Sequence, residues 1–373
     1  MRKNITALLI LLGLTGAMAY LWASTSAQVT LDEFIYLPFV RKAPTPIPTA
    51  TPTASPTPTA SPTPTASATP ITPPPGVIVV DHTSIALFEQ IPDQFINAAA
   101  ATNMVFVDRS VGGNISDGLT CLSYPTDEDA PNHCSRYVHV DPAYSVDPSV
   151  VNWSRTGGYP RSNWDYFFWP AGGETDDTIS CTVSAAEWYG KAECFDQFAR
   201  QQINDYDVLS FQYSYLSVDV GSSIADNPGG YLTNSSDVFG VSQLEQLESE
   251  YPNKVFIYWT TSLSRGIGSD VSESFNNQMR QYAFSNNKVL FDVADILSHD
   301  PDGNPCYDNR DGIPYDNGNN SENHPDDGLN TPAICPQYTT EVDGGHLGSV
   351  SAGKIRVAQG FWVLMAQLAG WNP

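Results

Sequence analysis

From residue 76 onward, short unbroken apolar runs alternate with longer segments in which apolar residues recur every three or four positions. The apolar runs GVIVVDH (76–82), NMVFVD (103–108), DVLSFQYSYL (207–216), KVFIYWTTSL (254–263) and KVLFDVADIL (288–297) predict strands. The helical period runs through ALFEQIPDQFINAAAA (86–101), SAAEWYGKAECFDQFARQQI (184–203), VSQLEQLESEYP (241–252), DVSESFNNQMRQYAFS (270–285) and SAGKIRVAQGFWVLMAQLAG (351–370). Ser184 is a good N-cap for the second of these. Strands that are apolar on both faces, alternating with helices, predict an α/β fold: a doubly wound parallel sheet with helices on both sides. Residues 121–184 fit neither period and read as irregular. Residues 299–342 read as a long polar loop. Ligands of such sheets bind outside the carboxyl ends of the strands, so residues that directly follow a strand carry the interest.

The first 75 residues do not share this pattern. MRKN followed by the uncharged run ITALLILLGLTGAMAYLWA predicts an export signal or an uncleaved membrane anchor over residues 1–28. Small residues in AMA and ASTSA offer cleavage sites, and no lipoprotein-type cysteine follows. Residues 29–43 form a short leader segment. Residues 44–75 are a Pro/Thr/Ser repeat without aromatic or charged residues, which cannot build a core and reads as a disordered, semi-rigid spacer. The order predicts an extracellular protein, secreted or held at the cell surface, with membrane contact only through its N-terminal segment. Residues 76–373 are the expected globular domain.

Charge narrows the partners. The chain has 17 Lys and Arg against 41 Asp and Glu. Four of the basic and two of the acidic residues lie before position 76, which leaves the domain 13 against 39 and a net charge of −26. Such a surface repels nucleic acid and anionic membranes. All six cysteines lie in the domain and none has CxxC spacing, so structural disulfides are expected rather than a zinc site. The simplest of the 15 connectivities pairs neighbours: Cys121–Cys134, Cys181–Cys194 and Cys306–Cys335, each stapling a loop insertion. No dimer face is evident, and a monomer is expected.

Two sites carry the candidate chemistry. MVFVDRSVGGNISDGL (104–119) runs from a strand through Ser110 into a helix-like tail. Ser110 reads either as a helix N-cap or as a nucleophile on a strand-to-helix turn. A serine nucleophile needs a base, usually a histidine oriented by a carboxylate. Of the six histidines, His346 stands out, in EVDGGHLGSVSAGK, three residues after Asp343 and just before the last helix. His82, directly after the first strand, is the rival base.

In VFVDRSVGGNI and DGGHL the chain resembles the SGNH/GDSL hydrolases, which place a serine on a turn after an early strand and an Asp-x-x-His motif before the last helix. The resemblance covers most of residues 76–373, and the nearest likeness is to divergent SGNH-like domains with an SVG serine motif. It implies a flavodoxin-like three-layer fold and an esterase or acylhydrolase. Ser110 would be the nucleophile, His346 the base and Asp343 the residue that orients the base. The family's usual GDS motif is replaced here by DRS. The asparagine of its middle motif, an oxyanion donor, has no counterpart in DVLSFQYSYLSVD. Gln212 or Ser214 stands as the side-chain substitute, and the backbone N–H groups of Ser110, Gly112 and Gly113 are the main-chain candidates.

No cofactor is required for such chemistry. The acidic loop nevertheless contains DPDGN, and Asp300, Asp302 and Asn304 are oxygen ligands of the type calcium takes, without the full EF-hand spacing. The same residues are ordinary turn formers. The aromatic stretch 137–173 holds Trp153, Trp164 and Trp169, read mainly as the core of an insertion with one or two rings lining the crevice. The expected function is hydrolysis of a carboxylic ester on a small molecule or carbohydrate. The alternative is a catalytically degenerate surface module that binds glycans through Trp153 or Trp164.

Overall fold

All five apolar runs form strands, each shorter than its run, because a buried strand ends where the chain must turn over the edge of the sheet. The computed structural model describes residues 76–134, 152–168, 188–212, 241–263, 270–307, 331–339, 346–347 and 352–373. The strands are β1 (Val79–Val80), β2 (Met104–Asp108), β3 (Trp164–Phe168), β4 (Val208–Phe211), β5 (Val255–Trp259) and β6 (Val289–Phe291). They form one sheet in the order β1-β6-β5-β4-β2-β3, and every pairing is parallel. Without the edge strand β1, the order is that of a doubly wound sheet whose direction reverses between β2 and β4.

The helices are α1 (Asp93–Ala101), α2 (Ser110–Leu122), α3 (Trp188–Gln202), α4 (Val241–Glu250), α5 (Asp270–Ser285), α6 (Val293–Leu297) and α7 (Ala352–Leu368). Alternation along β2 divides the core in two. Met104 and Phe106 pack with α1, α2, α6 and α7, whereas Val105 and Val107 pack with α3, α4 and α5. Helices therefore cover both faces, as strands without a polar side require.

α7 is the hub of the first face, and every residue from Ala352 to Ala366 is buried. Its two buried cations are satisfied internally. Lys354 Nζ donates to the His133 carbonyl (2.5 Å), and Arg356 Nε donates to that of Ile296 (3.1 Å). α2 crosses α7 at backbone contact. A Cβ on Gly118 would stand 2.2 Å from the Lys354 carbonyl oxygen, so only glycine fits.

Three sequence expectations change. Residues 86–101 are not one helix: a 3₁₀ segment, His82–Gln90, precedes α1, because Pro92 removes a donor and drives Ile91 into extended backbone. The last apolar run is a strand only to Phe291. Asp292 then caps α6 by accepting from the Asp295 N–H (3.1 Å). The stretch read as irregular contains β3, whose partly solvated edge carries aromatic and charged residues rather than aliphatic ones.

Two disulfides, Cys121–Cys134 and Cys306–Cys335, join the expected pairs. Cys194 is disulfide-bonded, and its expected partner Cys181 lies outside the described residues. The N-terminal segment and the spacer lie outside them too. No helix among the described residues is long and apolar enough to cross a membrane. All described residues fall in one unit, Ala68–Pro373.

Candidate active site

β2 ends at Asp108, whose side chain is wholly buried and accepts the Arg109 N–H on Oδ1 (2.6 Å). The Arg109 carbonyl accepts from the Tyr166 hydroxyl (2.6 Å) and from the Gly113 N–H (3.1 Å). The turn is thus fixed from the strand, from β3 and from the helix it opens. Arg109 is the N-cap residue and has no side-chain cap bond, so Ser110 is the first helical residue. Its exposed hydroxyl is not engaged in capping.

The Ser110 Oγ lies 2.6 Å from His346 Nε2, across 236 residues of sequence. That is hydrogen-bond distance for a nucleophile and its base. Two side chains hold the loop that carries His346. Asn114 Oδ1 accepts the Leu347 N–H (2.9 Å), and the Thr339 hydroxyl donates to the His346 carbonyl. Leu347 is fully buried and anchors the loop in the core. Ser110 and Asn114 stand four residues apart on one face of α2, so a single helix presents the serine hydroxyl and holds the loop of His346. Asp343, expected on the other ring nitrogen, lies outside the described residues.

At the start of α2, the N–H groups of Ser110, Val111 and Gly112 have no acceptor among the described residues. They can receive a developing oxyanion. The Gly113 N–H is already committed to Arg109, which removes it from the expected donors. Gly112 has a packing reason for being glycine: a Cβ there would stand 2.5 Å from Asp108 Cβ and 2.6 Å from Tyr166 Cε2. Gln212, directly after β4, is buried and turns towards β5, donating Nε2 to the Thr260 carbonyl (3.1 Å). Ser214 lies outside the described residues. No family model, curated protein or solved structure matches this chain.

His82 sits on the opposite side of the sheet order, after edge strand β1, and it is engaged there. Its Nδ1 lies 2.5 Å from Asp295 Oδ2, and its backbone N–H donates to the same oxygen (2.9 Å). Burial opposes a charge on His82, but the hydrogen bond and charge of Asp295 outweigh it and raise the ring's pKa. Burial works against the Asp295 charge as well, yet contact with His82 and the nearby His299 bring that carboxyl down to about 2. His299 stacks on His82, with centroids 3.8 Å apart and planes 12° apart, and its Nδ1 lies 2.9 Å from the Asp295 carbonyl. These three side chains are metal-ligand types within 4.8 Å of one another. Imidazole binds a metal in its own plane, however, and two parallel stacked planes cannot share one ion.

The calcium candidates form a closed turn. Asp300 accepts from the Asn304 backbone N–H (2.8 Å) and from its Nδ2 (3.0 Å), while Asp302 is exposed. Trp153 and Trp164 are buried, donating Nε1 to the carbonyls of Tyr124 and Ala99. Neither offers a face to a sugar, and the glycan-binding alternative loses its anchors. Trp169 lies outside the described residues.

Sequence reasoning missed Asn114, Tyr166 and Asp295. Asn114 was readable once Ser110 was placed on a helix, because position i+4 shares its face. Asp295 was hidden by the reading of residues 288–297 as strand.

Proposed function

We propose that the chain is an extracellular serine hydrolase that cleaves a carboxylic ester. The observation that carries this reading is the 2.6 Å approach of His346 Nε2 to the exposed Ser110 Oγ, at the carboxyl edge of a parallel sheet and at its point of reversal. The resemblance of the serine and DGGHL segments to the SGNH/GDSL hydrolases supports it. So do the disulfides, which favour an oxidising compartment.

In this reading Ser110 Oγ attacks the ester carbonyl carbon as His346 Nε2 takes its proton. The carbonyl electrons move onto oxygen, which the N–H groups of Ser110, Val111 and Gly112 at the start of α2 receive. Collapse of the tetrahedral intermediate breaks the C–O bond, and His346 returns the proton to the departing alcohol. Water, activated by the same imidazole, then releases the acid from Ser110. Asp343 is the expected partner of the imidazolium.

A fluorophosphonate probe tests this directly. Labelling should occur on the wild-type chain and disappear in Ser110→Ala, together with hydrolysis of p-nitrophenyl acetate. Hydrolysis that persists unchanged in that variant excludes the reading.

A further inference from the structure

Arg109 differs from the other described cations whose side-chain contacts are given below. Arg155 pairs with Asp93, Arg200 with Asp196 and Glu250, Lys254 with Asp207, Arg280 with Asp292 and Lys288 with Glu248. Arg161 donates to Ser116, Lys354 to the His133 carbonyl and Arg356 to that of Ile296. Arg109 has neither an ion pair nor a side-chain hydrogen bond among the described residues. Its guanidinium lies only over the ring of Phe168, 5.5 Å from the centroid. Against these, an arginine whose head group has no hydrogen-bond partner of any kind among the described residues is the outlier.

The placement of this side chain gives the outlier a meaning. Arg109 directly precedes Ser110, and Phe168 ends β3 opposite Asp108, so both sit at the sheet edge that carries the nucleophile. Phe168 is 37% exposed, the less buried partner of a platform open to solvent. A guanidinium held over an aromatic ring uses none of its N–H groups in that contact, and its N–H fork matches the two oxygens of a carboxylate. The neighbouring carboxylate does not compete for it: Asp108 is buried beneath Gly112. The acidic surface beyond is screened over about 8 Å at physiological salt.

We infer that Arg109, held by Phe168, is the binding group for a carboxylate on the substrate, which makes the preferred ester one that carries a second, free acid group near its scissile bond. This rests on the serine-hydrolase reading for the ester. The anion site itself stands on geometry alone.

Two arms separate the two. In the first, full-length Ser110→Ala protein is titrated with monomethyl succinate and with dimethyl succinate by calorimetry or NMR. Charge-assisted hydrogen bonds of this kind correspond to about 10- to 100-fold in affinity. The half-ester should bind tighter by about that factor, and the gap should close in Ser110→Ala/Arg109→Met. Equal binding of the charged and neutral esters overturns the inference, whatever the enzyme does. In the second arm, kcat/KM is compared for p-nitrophenyl hemisuccinate and p-nitrophenyl acetate. The ratio should fall at least about 10-fold in Arg109→Met and recover in part in Arg109→Lys. A ratio indifferent to Arg109 also overturns it. Arg109-dependent binding without turnover of either ester would support the anion site and refute the hydrolase reading.

Discussion

His346 and His82 both lie near the carboxyl edge of the sheet, at opposite ends of its strand order, and what reaches their ring nitrogens separates them. His346 meets a hydroxyl on an exposed helix start, next to N–H groups without an acceptor among the described residues. His82 meets the carboxylate of Asp295 and the face of His299. The first arrangement can move a proton to and from a substrate. The second holds a proton in place and joins β1 to the helix that follows β6. The lesson is that a histidine near a strand end gains its role from the group its ring faces, not from its position.

The widest separation is expected in turnover. Ser110→Ala or His346→Ala should lower kcat by about 10⁴-fold or more on p-nitrophenyl acetate with the melting temperature preserved. His82→Ala should leave kcat within about 3-fold. An equal loss at both histidines would erase the contrast.

Asn114→Ala comes next. It frees the loop behind His346 without touching the reacting atoms, and a shift of about 1 Å costs roughly 100-fold in kcat. KM should hardly change. Asn114→Asp, which keeps an acceptor for the Leu347 N–H, should restore part of the rate. A loss expressed only in KM would contradict this positioning role.

Gly112→Ala probes the turn rather than the chemistry. Its Cβ has no room against Asp108 and Tyr166. Overpacking of this kind costs about 1–3 kcal/mol, seen as a melting temperature lower by several degrees. An unchanged transition would show that the elbow can relax.

The smallest effect belongs to the His82 end and is a pH dependence. The folded-state pKa of His82 is raised, so its stabilisation is complete below the unfolded value of about 6.5 and is lost as pH rises through the raised value. Asp295, depressed to about 2, contributes above the unfolded carboxyl value of about 4, and that part is lost as pH falls towards 2. Calorimetry from pH 5 to 9 should show a decline in melting temperature that His82→Asn flattens. Parallel profiles would remove the assigned role of the pair.

Much of this was legible in the residues. The unbroken apolar runs gave away a sheet covered on both faces, because such strands have nowhere else to bury their sides. β3 was not legible, since Trp164–Phe168 at the edge shows no aliphatic run. The break at Pro92 and the cap at Asp292 were visible as residue types, but periodicity overrode them in the reading. The approach of Ser110 to His346 was inferred from chain order and resemblance. The commitments of Gly113 and Gln212 were not legible, because a sequence names donors without showing which acceptors already hold them.

The separation of 236 positions between Ser110 and His346 also sets a timetable. A ribosome delivers the serine well before the histidine, and the helix that buries the core follows the histidine. Long-range contacts of this kind form late. A chain that stops before residue 346 therefore lacks the histidine and its central packing helix together. The serine hydroxyl cannot meet the imidazole until the domain up to that helix has been made and closed, so closure of the core and assembly of the pair become one event.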